Sequence, residues 1–529
     1  MPSTLKLDDL DDDCIGLVVD ELRYQYERHN SESLRSFSVV CRRIREITSP
    51  ALFAQCSAPL DVDVRGFIPN TLWKYIRVLS LTGHQGRSGP YLRTDHLERA
   101  MPYFEVLESV RFLNSLGSTI ILVIPAVLAA PRLRALHVIN QVADSEPSLS
   151  DSLQSSTIPQ IPTSVVELIW TRSQWIYMSD AQISDEAALI RSFSLPLRLS
   201  LQVLSLPLES TPIPELSTLI WPNLTDFSLT ANRPSPTIPL AIDFHSVVSN
   251  MPRLTSLSLM LPQSRSTSRS TVVFPNNPTT ISPLEHLRSL ALAYPNPEDL
   301  IFNHLPASLW HLSLTDCPRH YLSLDPPSRL RKYAYSAPII TSSELREIID
   351  RCNTPALKTL EVVYEADTSE GETLDLIARK FSQLHTLKLF RYTSSADDPV
   401  DATVVASALS PLKQLRHIYV HLNNPRAPYS YPKQPAEEQW AVTRFWDGLQ
   451  HTADVFANAF APHLRLETIH LLERYYWSTH WTRWSVRYGD GDGGDGGVNG
   501  GSGIGKEAYC VRVRDYKIPE QVEPRPRPR

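Results

Sequence analysis

Few residues in this 529-residue chain stand at spacings that could do covalent or metal chemistry. Gly500, Gly505 and Lys506 have the spacing of a phosphate-cradling loop, but Glu507 replaces the Ser or Thr that would hold magnesium. No apolar strand leads into that loop and no apolar helix follows it, so nucleotide binding is not expected there. Asp490, Asp492 and Asp495 lack the spacing and closing Glu of a calcium loop. The six cysteines, Cys14, Cys41, Cys56, Cys317, Cys352 and Cys510, are scattered without paired spacing. That argues against a disulfide framework or a zinc site and fits a reducing compartment. The sixteen histidines do not cluster at ligand spacing, and HExxH, GxSxG and CxxC motifs are absent. The residue types point away from an enzyme, and neither a metal nor another cofactor is expected.

Recognition chemistry is a different matter, and composition bounds it. The formal charge of −6 gives no electrostatic footprint for nucleic acid or an anionic membrane. The chain opens acidic rather than with a signal-like segment. Its longest apolar run, residues 120–130, contains Pro125 and is too short to span a bilayer. A cytoplasmic or nuclear protein is expected. Glycine is scarce (18) and proline abundant (43), and ten of the glycines fall within residues 489–505. Few tight hairpins and many rigid connections suit a repeat array.

One six-residue pattern recurs: apolar, two variable, apolar, one variable, apolar. It reads LTSLSL at 254–259, LRSLAL at 287–292, LWHLSL at 309–314 and LHTLKL at 384–389. Looser copies begin at 76, 107, 133, 165, 201, 224, 330, 357, 415 and 466, giving fourteen starts mostly 21 to 36 residues apart. The last two apolar positions are two apart, so a short strand points both to one face. No single unit can bury that face, but stacked neighbours share a continuous core. The pattern resembles the leucine-rich repeat, whose consensus continues with Asn or Cys three residues later; Asn232, Cys317 and Asn423 keep it. Between the copies the spacing predicts helices over 242–248, 341–352, 372–381 and 402–409, and a longer one over 437–460. The resemblance implies an α/β fold: a curved solenoid over 61–475 with its strands on the concave face. Alternating residues at 484–488 and 509–514 predict a capping hairpin within 476–516, around a flexible loop at 489–505. A disordered basic tail is expected over 517–529.

Residues 1–60 read differently. Ile15, Val18 and Leu22 have helical spacing after the acidic Asp11–Asp13 start, which suits a helix N-terminus. The stretch 34–47 predicts a second amphipathic helix carrying Leu34, Phe37, Val40, Cys41 and Ile44 on one side. With Leu10 at its start, Val40-Cys41-Arg42-Arg43 inside it and SPALFAQC closing it at 49–56, this segment resembles the F-box of fungal F-box proteins. Asp11 stands where that family usually has proline, and Ile44 where an aromatic is usual. The resemblance implies docking of Leu10, Ile15, Val18, Leu22, Leu34, Phe37, Val40, Cys41 and Ile44 on a Skp-type adaptor, and through it a cullin ubiquitin ligase. The solenoid would then hold a target protein. Its outward strand residues are small in the middle units and chemically richer later, so Lys332, Glu361, Lys388, His417, Tyr419 and His470 are the candidate target contacts. A repeat scaffold that binds partners without any ligase is the alternative.

Overall fold

The computed structural model describes residues 10–26, 31–60, 68–83, 94–114, 117–141, 164–172, 178–231, 242–263, 269, 271–272, 284–321, 337–393, 401–422, 436–474, 479–488 and 508–519. The chain packs as two units, one of residues 1–212 with 221–224, the other of residues 213–220 with 225–529.

The first unit opens with three helices, α1 (Asp12–Tyr26), α2 (Ser31–Ser38) and α3 (Arg42–Leu52). The single helix expected over 34–47 is broken between α2 and α3. Cys41 is extended there (φ −153°, ψ 170°) and caps α3, its Sγ accepting the Ile44 N–H at 3.5 Å. The break has local causes. Val39 and Val40 are β-branched and disfavour helix, while the Ser38 hydroxyl turns back to the Arg35 carbonyl at 2.7 Å. Six parallel strands follow: β1 (Gln55–Pro59), β2 (Val78–Thr82), β3 (Ser109–Leu113), β4 (Ala135–Gln141), β5 (Glu167–Arg172) and β6 (Val203–Pro207), each paired with the next. Helices α4 (Thr94–Ala100), α5 (Gly117–Val127) and α6 (Asp180–Leu197) occupy connections between them. A capping box of Ser179 and Gln182 starts α6.

The second unit begins with α7 (Ile213–Thr218) and β7 (Asp226–Thr230), followed by α8 (Phe244–Ser249), β8 (Ser256–Met260), β9 (Ser289–Ala293) and β10 (His311–Thr315). Next come the two-residue β11 (Ile340–Thr341), α9 (Ser342–Arg351), β12 (Thr359–Glu365), α10 (Glu370–Lys380), β13 (Thr386–Tyr392), α11 (Ala402–Leu409) and β14 (His417–His421). The unit closes with α12 (Ala436–Phe460), β15 (Thr468–Arg474), β16 (Thr479–Tyr488) and β17 (Ala508–Pro519). From β7 to β15 the pairing is parallel, with β10 and β11 both lying along β12. Strands β16 and β17 then run antiparallel against β15 and each other. The hairpin is longer than the alternation at 484–488 and 509–514 suggests.

Thirteen of the fourteen repeat hexapeptides become strands that start at their third residue; the copy at 330–335 lies outside the described residues. In those thirteen every apolar triplet is buried, with Leu292 the most exposed at 5%. Each such side chain contributes roughly 1.5–3 kcal/mol, enough to hold adjacent units in step. A second device sets the register. The Thr225 carbonyl accepts the N–H groups of both Thr255 (2.8 Å) and Ser256 (2.9 Å), and the Lys358 carbonyl likewise accepts His385 and Thr386. Ahead of the pattern lies a further core position. The Leu254 N–H turns back to the Met251 carbonyl (3.1 Å), Leu384 to Phe381 (3.0 Å) and Leu415 to Leu412 (3.1 Å), and all three acceptor residues are buried. The hexapeptide copies are thus parallel strands stacked one on the next, with helices in many of the connections between them. Among the described residues no helix is long and apolar enough to cross a membrane.

Candidate functional site

Because alternate strand residues face away from the triplet core, each unit presents a second sheet face. In the second unit, strand register lines up Ser313, Glu361, Lys388, Tyr419, His470 and Arg483 across β10, β12, β13, β14, β15 and β16. Five of the six candidate target contacts therefore converge on neighbouring strands; Lys332 lies outside the described residues. They are not equally accessible. Glu361 and His470 are buried, whereas Lys388, His417 and Tyr419 are half-buried.

The buried carboxylate is neutralised in place. Glu361 accepts the Arg319 guanidinium at 2.6 Å and the Ser313 hydroxyl at 3.2 Å, and Arg319 also reaches Asp316 at 3.1 Å. Burial pushes the Glu361 carboxyl up, but Arg319, Lys388 and the Arg319 hydrogen bond outweigh it and bring it down to about 2. Beside it, Ser289 Oγ and His311 Nδ1 lie 2.7 Å apart. Burial, with Lys388 nearby, lowers His311 to about 4, against the opposing pull of Glu361. Further along, the Thr468 hydroxyl lies 2.9 Å from His417 Nδ1 and 3.0 Å from His470 Nε2. Burial and then Arg483, His417 and Lys388 lower His470 to about 3. The imidazoles of His311 and His470 are therefore uncharged near neutrality.

Aromatic rings lie within and beside this row, with Val363, Phe390 and His421 in register two residues further along their strands. Tyr419 stacks on His470 with centroids 4.1 Å apart and meets the Trp481 edge at 5.2 Å, while Lys388 Nζ sits 5.5 Å above the Tyr419 ring. Tyr321, Ile339, Val363, Phe390, Tyr392, Leu472 and Trp481 form a buried cluster against which Tyr419 packs. The repeat pattern did not reveal this second core. Its signal is length: β12 and β13 each run seven residues, and the residues past the pattern, Val363 and Phe390-Arg391-Tyr392, extend the alternation with large side chains. Cys317 packs on Met260, Ala291 and Ala293, and its thiol donates to the Ala231 carbonyl at 3.3 Å; Asn232 and Asn423 lie outside the described residues.

In the first unit the corresponding row is Ser57, Ser80, Arg111, His137, Ile169 and Ser205. His137 Nε2 lies 2.9 Å from Glu167 Oε1, both residues being buried.

The three N-terminal helices sort the candidate adaptor contacts into two sets. Ile15, Leu34 and Ile44 are buried in the helices' own core with Val19. Leu10, Leu22, Phe37 and Cys41 are half-buried. Val18 and Val40 are exposed by 39% and 57%, together with Leu17 (69%) and Val39 (67%), which the helical spacing did not single out. Arg43 ties α3 to the start of α1, donating to Asp12 Oδ1 (2.6 Å) and to the Leu10 carbonyl (2.8 Å). Gly500, Gly505, Lys506, the three loop aspartates and residues 520–529 lie outside the described residues; of the basic tail expected over 517–529, residues 517–519 instead belong to β17. Among the described residues no group of three or more His, Cys, Asp or Glu is placed to hold a metal ion.

No family model matches the sequence, and no curated protein matches it. Among solved structures, a leucine-rich-repeat protein of Leptospira interrogans is similar at 14% identity and a TM-score of 0.25, over 73% of this chain and 93% of that one. The repeat character of this protein rests on its own thirteen buried triplets and their parallel register.

Proposed function

We propose that this protein is a non-catalytic adaptor that docks on a Skp-type protein of a cullin ubiquitin ligase through its N-terminal helices. A target protein is held on the sheet faces of the repeats. The observation that supports docking is the division of apolar residues in α1, α2 and α3. Ile15, Val19, Leu34 and Ile44 suffice for a core, yet Leu17, Val18, Val39 and Val40 remain on the surface. Apolar side chains left outside a formed core suit burial in a partner's groove.

The test is co-purification of the Skp-type adaptor with wild type, Leu17→Asp and Val40→Asp. Adaptor capture should fall at least tenfold in both variants while their melting curves match wild type. Capture undiminished in the variants, or absent in folded wild type, would overturn the ligase reading and leave a repeat scaffold that binds its partners without a ligase.

A further inference from the structure

We propose that Arg111 anchors a carboxylate-recognition site on the sheet face of the first unit, filled by an acidic side chain of a partner protein. This extends the reading of the sheet faces as partner-binding surfaces and does not depend on adaptor docking.

Arg111 projects from the middle of β3, onto the face opposite Val110 and Phe112. Its Nε is buried without a hydrogen-bond partner, and among the described residues the guanidinium makes no ion pair. Arg111 as a whole is half-buried, so its charge still meets water at the guanidinium tip, but a donor nitrogen withdrawn from water without a partner is costly and suits completion from outside the fold. Two residues earlier on the same face, Ser109 is 8% exposed and its hydroxyl is also unpartnered. On the neighbouring strand, Ser80 stands in register with Arg111 and is half-buried.

The carboxylate on this face is held elsewhere. Glu167 lies two strands away on β5 and is engaged by His137 of β4, the strand between. Among the described residues Arg111 thus stands beside serine hydroxyls, with no carboxylate paired to it. The rest of its surroundings are weakly polar: Thr82, Leu113 and Ile139, half-buried, form the next row in register.

The charge count selects the ligand. Across the described strands β1 to β6, no lysine and no second arginine shares the central row with Arg111. One planar guanidinium neutralises one negative charge and matches a carboxylate with two parallel hydrogen bonds. A phosphoryl dianion would call for a second cation. The occupant is therefore an Asp or Glu side chain on a protein segment laid across β2, β3 and β4.

The test uses the full-length protein and the substitution Arg111→Met, which keeps the aliphatic stem and removes the charge. Its first readout is thermal unfolding without ligand. Because Arg111 has no partner to lose, R111M should melt at or above the wild-type temperature; a clear drop would show a structural role and overturn the proposal. The second readout is titration with a fluorescent hexaglutamate peptide, with hexaglutamine and a phosphoserine peptide of equal length as comparators. Wild type should bind hexaglutamate, hexaglutamine should not compete, and R111M should lose at least about tenfold in affinity. The control Arg77→Gln, which alters an exposed pair with Glu108, should bind as wild type does. Equal hexaglutamate binding by wild type and R111M, or none by wild type, would overturn the site. Tighter, Arg111-dependent binding of the phosphoserine peptide would overturn the carboxylate assignment. Adaptor capture measured in parallel should be unchanged by R111M, which separates failure here from failure of the ligase reading.

Discussion

At the scale of residues, the sheet face of the second unit is governed by how charge is handled out of water. Glu361 keeps its charge because Arg319 and Ser313 meet it directly, while His311 and His470 give up theirs because burial is not offset. The consequence for stability has a definite sign. A histidine whose folded pKa lies below its unfolded value of about 6.5 is protonated first in the unfolded chain. Stability is therefore full above that value and is lost as pH falls toward the folded values of about 4 and about 3. The melting temperature should fall by several degrees between pH 7 and pH 4.5. Combining His311→Asn with His470→Asn should flatten that slope; a calorimetric series in which the double variant follows the wild-type slope would refute the assignment.

At the scale of elements, the N-terminal helices show why position on a helix matters more than apolar type. Ile15 and Leu17 are two residues apart on α1, yet one is 0% exposed and the other 69%. Ile15→Asp should therefore do more than block a partner. Burying an unpaired carboxylate in the core shared by Ile15, Val19, Leu34 and Ile44 should unfold the three helices, at a cost of at least about 3 kcal/mol. Limited proteolysis should cut within residues 10–56 of I15D and spare L17D. Equal protease sensitivity of the two variants would mean that the helices do not share this core. The break at Cys41 belongs to the same scale. It places Val39 and Val40 at a helix junction, where they face outward rather than along a continuous apolar stripe.

At the scale of the whole molecule, a stack of parallel strands needs an end. Strand β15 would expose an open edge were it not paired with β16, which β17 covers in turn. Helix α12 is fastened to this hairpin by side chains: the Trp484 indole donates to Gln450 at 3.1 Å, Gln450 donates to the Cys510 carbonyl at 3.2 Å, and the Cys510 N–H donates to Asp454 at 3.1 Å. Trp481 also completes the aromatic cluster with Phe390. Truncation after residue 475 should uncover both the edge and the cluster and drive self-association, seen as higher-mass species in light scattering behind size exclusion. A truncated chain that stays monomeric with an unchanged melting temperature would show that the hairpin is dispensable.

The sequence by itself determined the repeats, because each triplet is local and its burial follows from a period of two within one strand. LTSLSL or LHTLKL reads the same wherever the strand is placed, and Thr341 with Glu344 announces the start of α9 through contacts three residues apart. The candidate row was legible to the same extent, since the residues between triplet positions must face the other way. Only the tertiary structure decided what those residues do. Glu361 is tied to Arg319, 42 residues earlier, and Tyr419 stacks on His470 from a separate strand. Among the described residues Arg111 has no partner, while Glu167, two strands away, meets His137. These outcomes depend on which strands become neighbours and in what register, and a hexapeptide pattern carries no information about either.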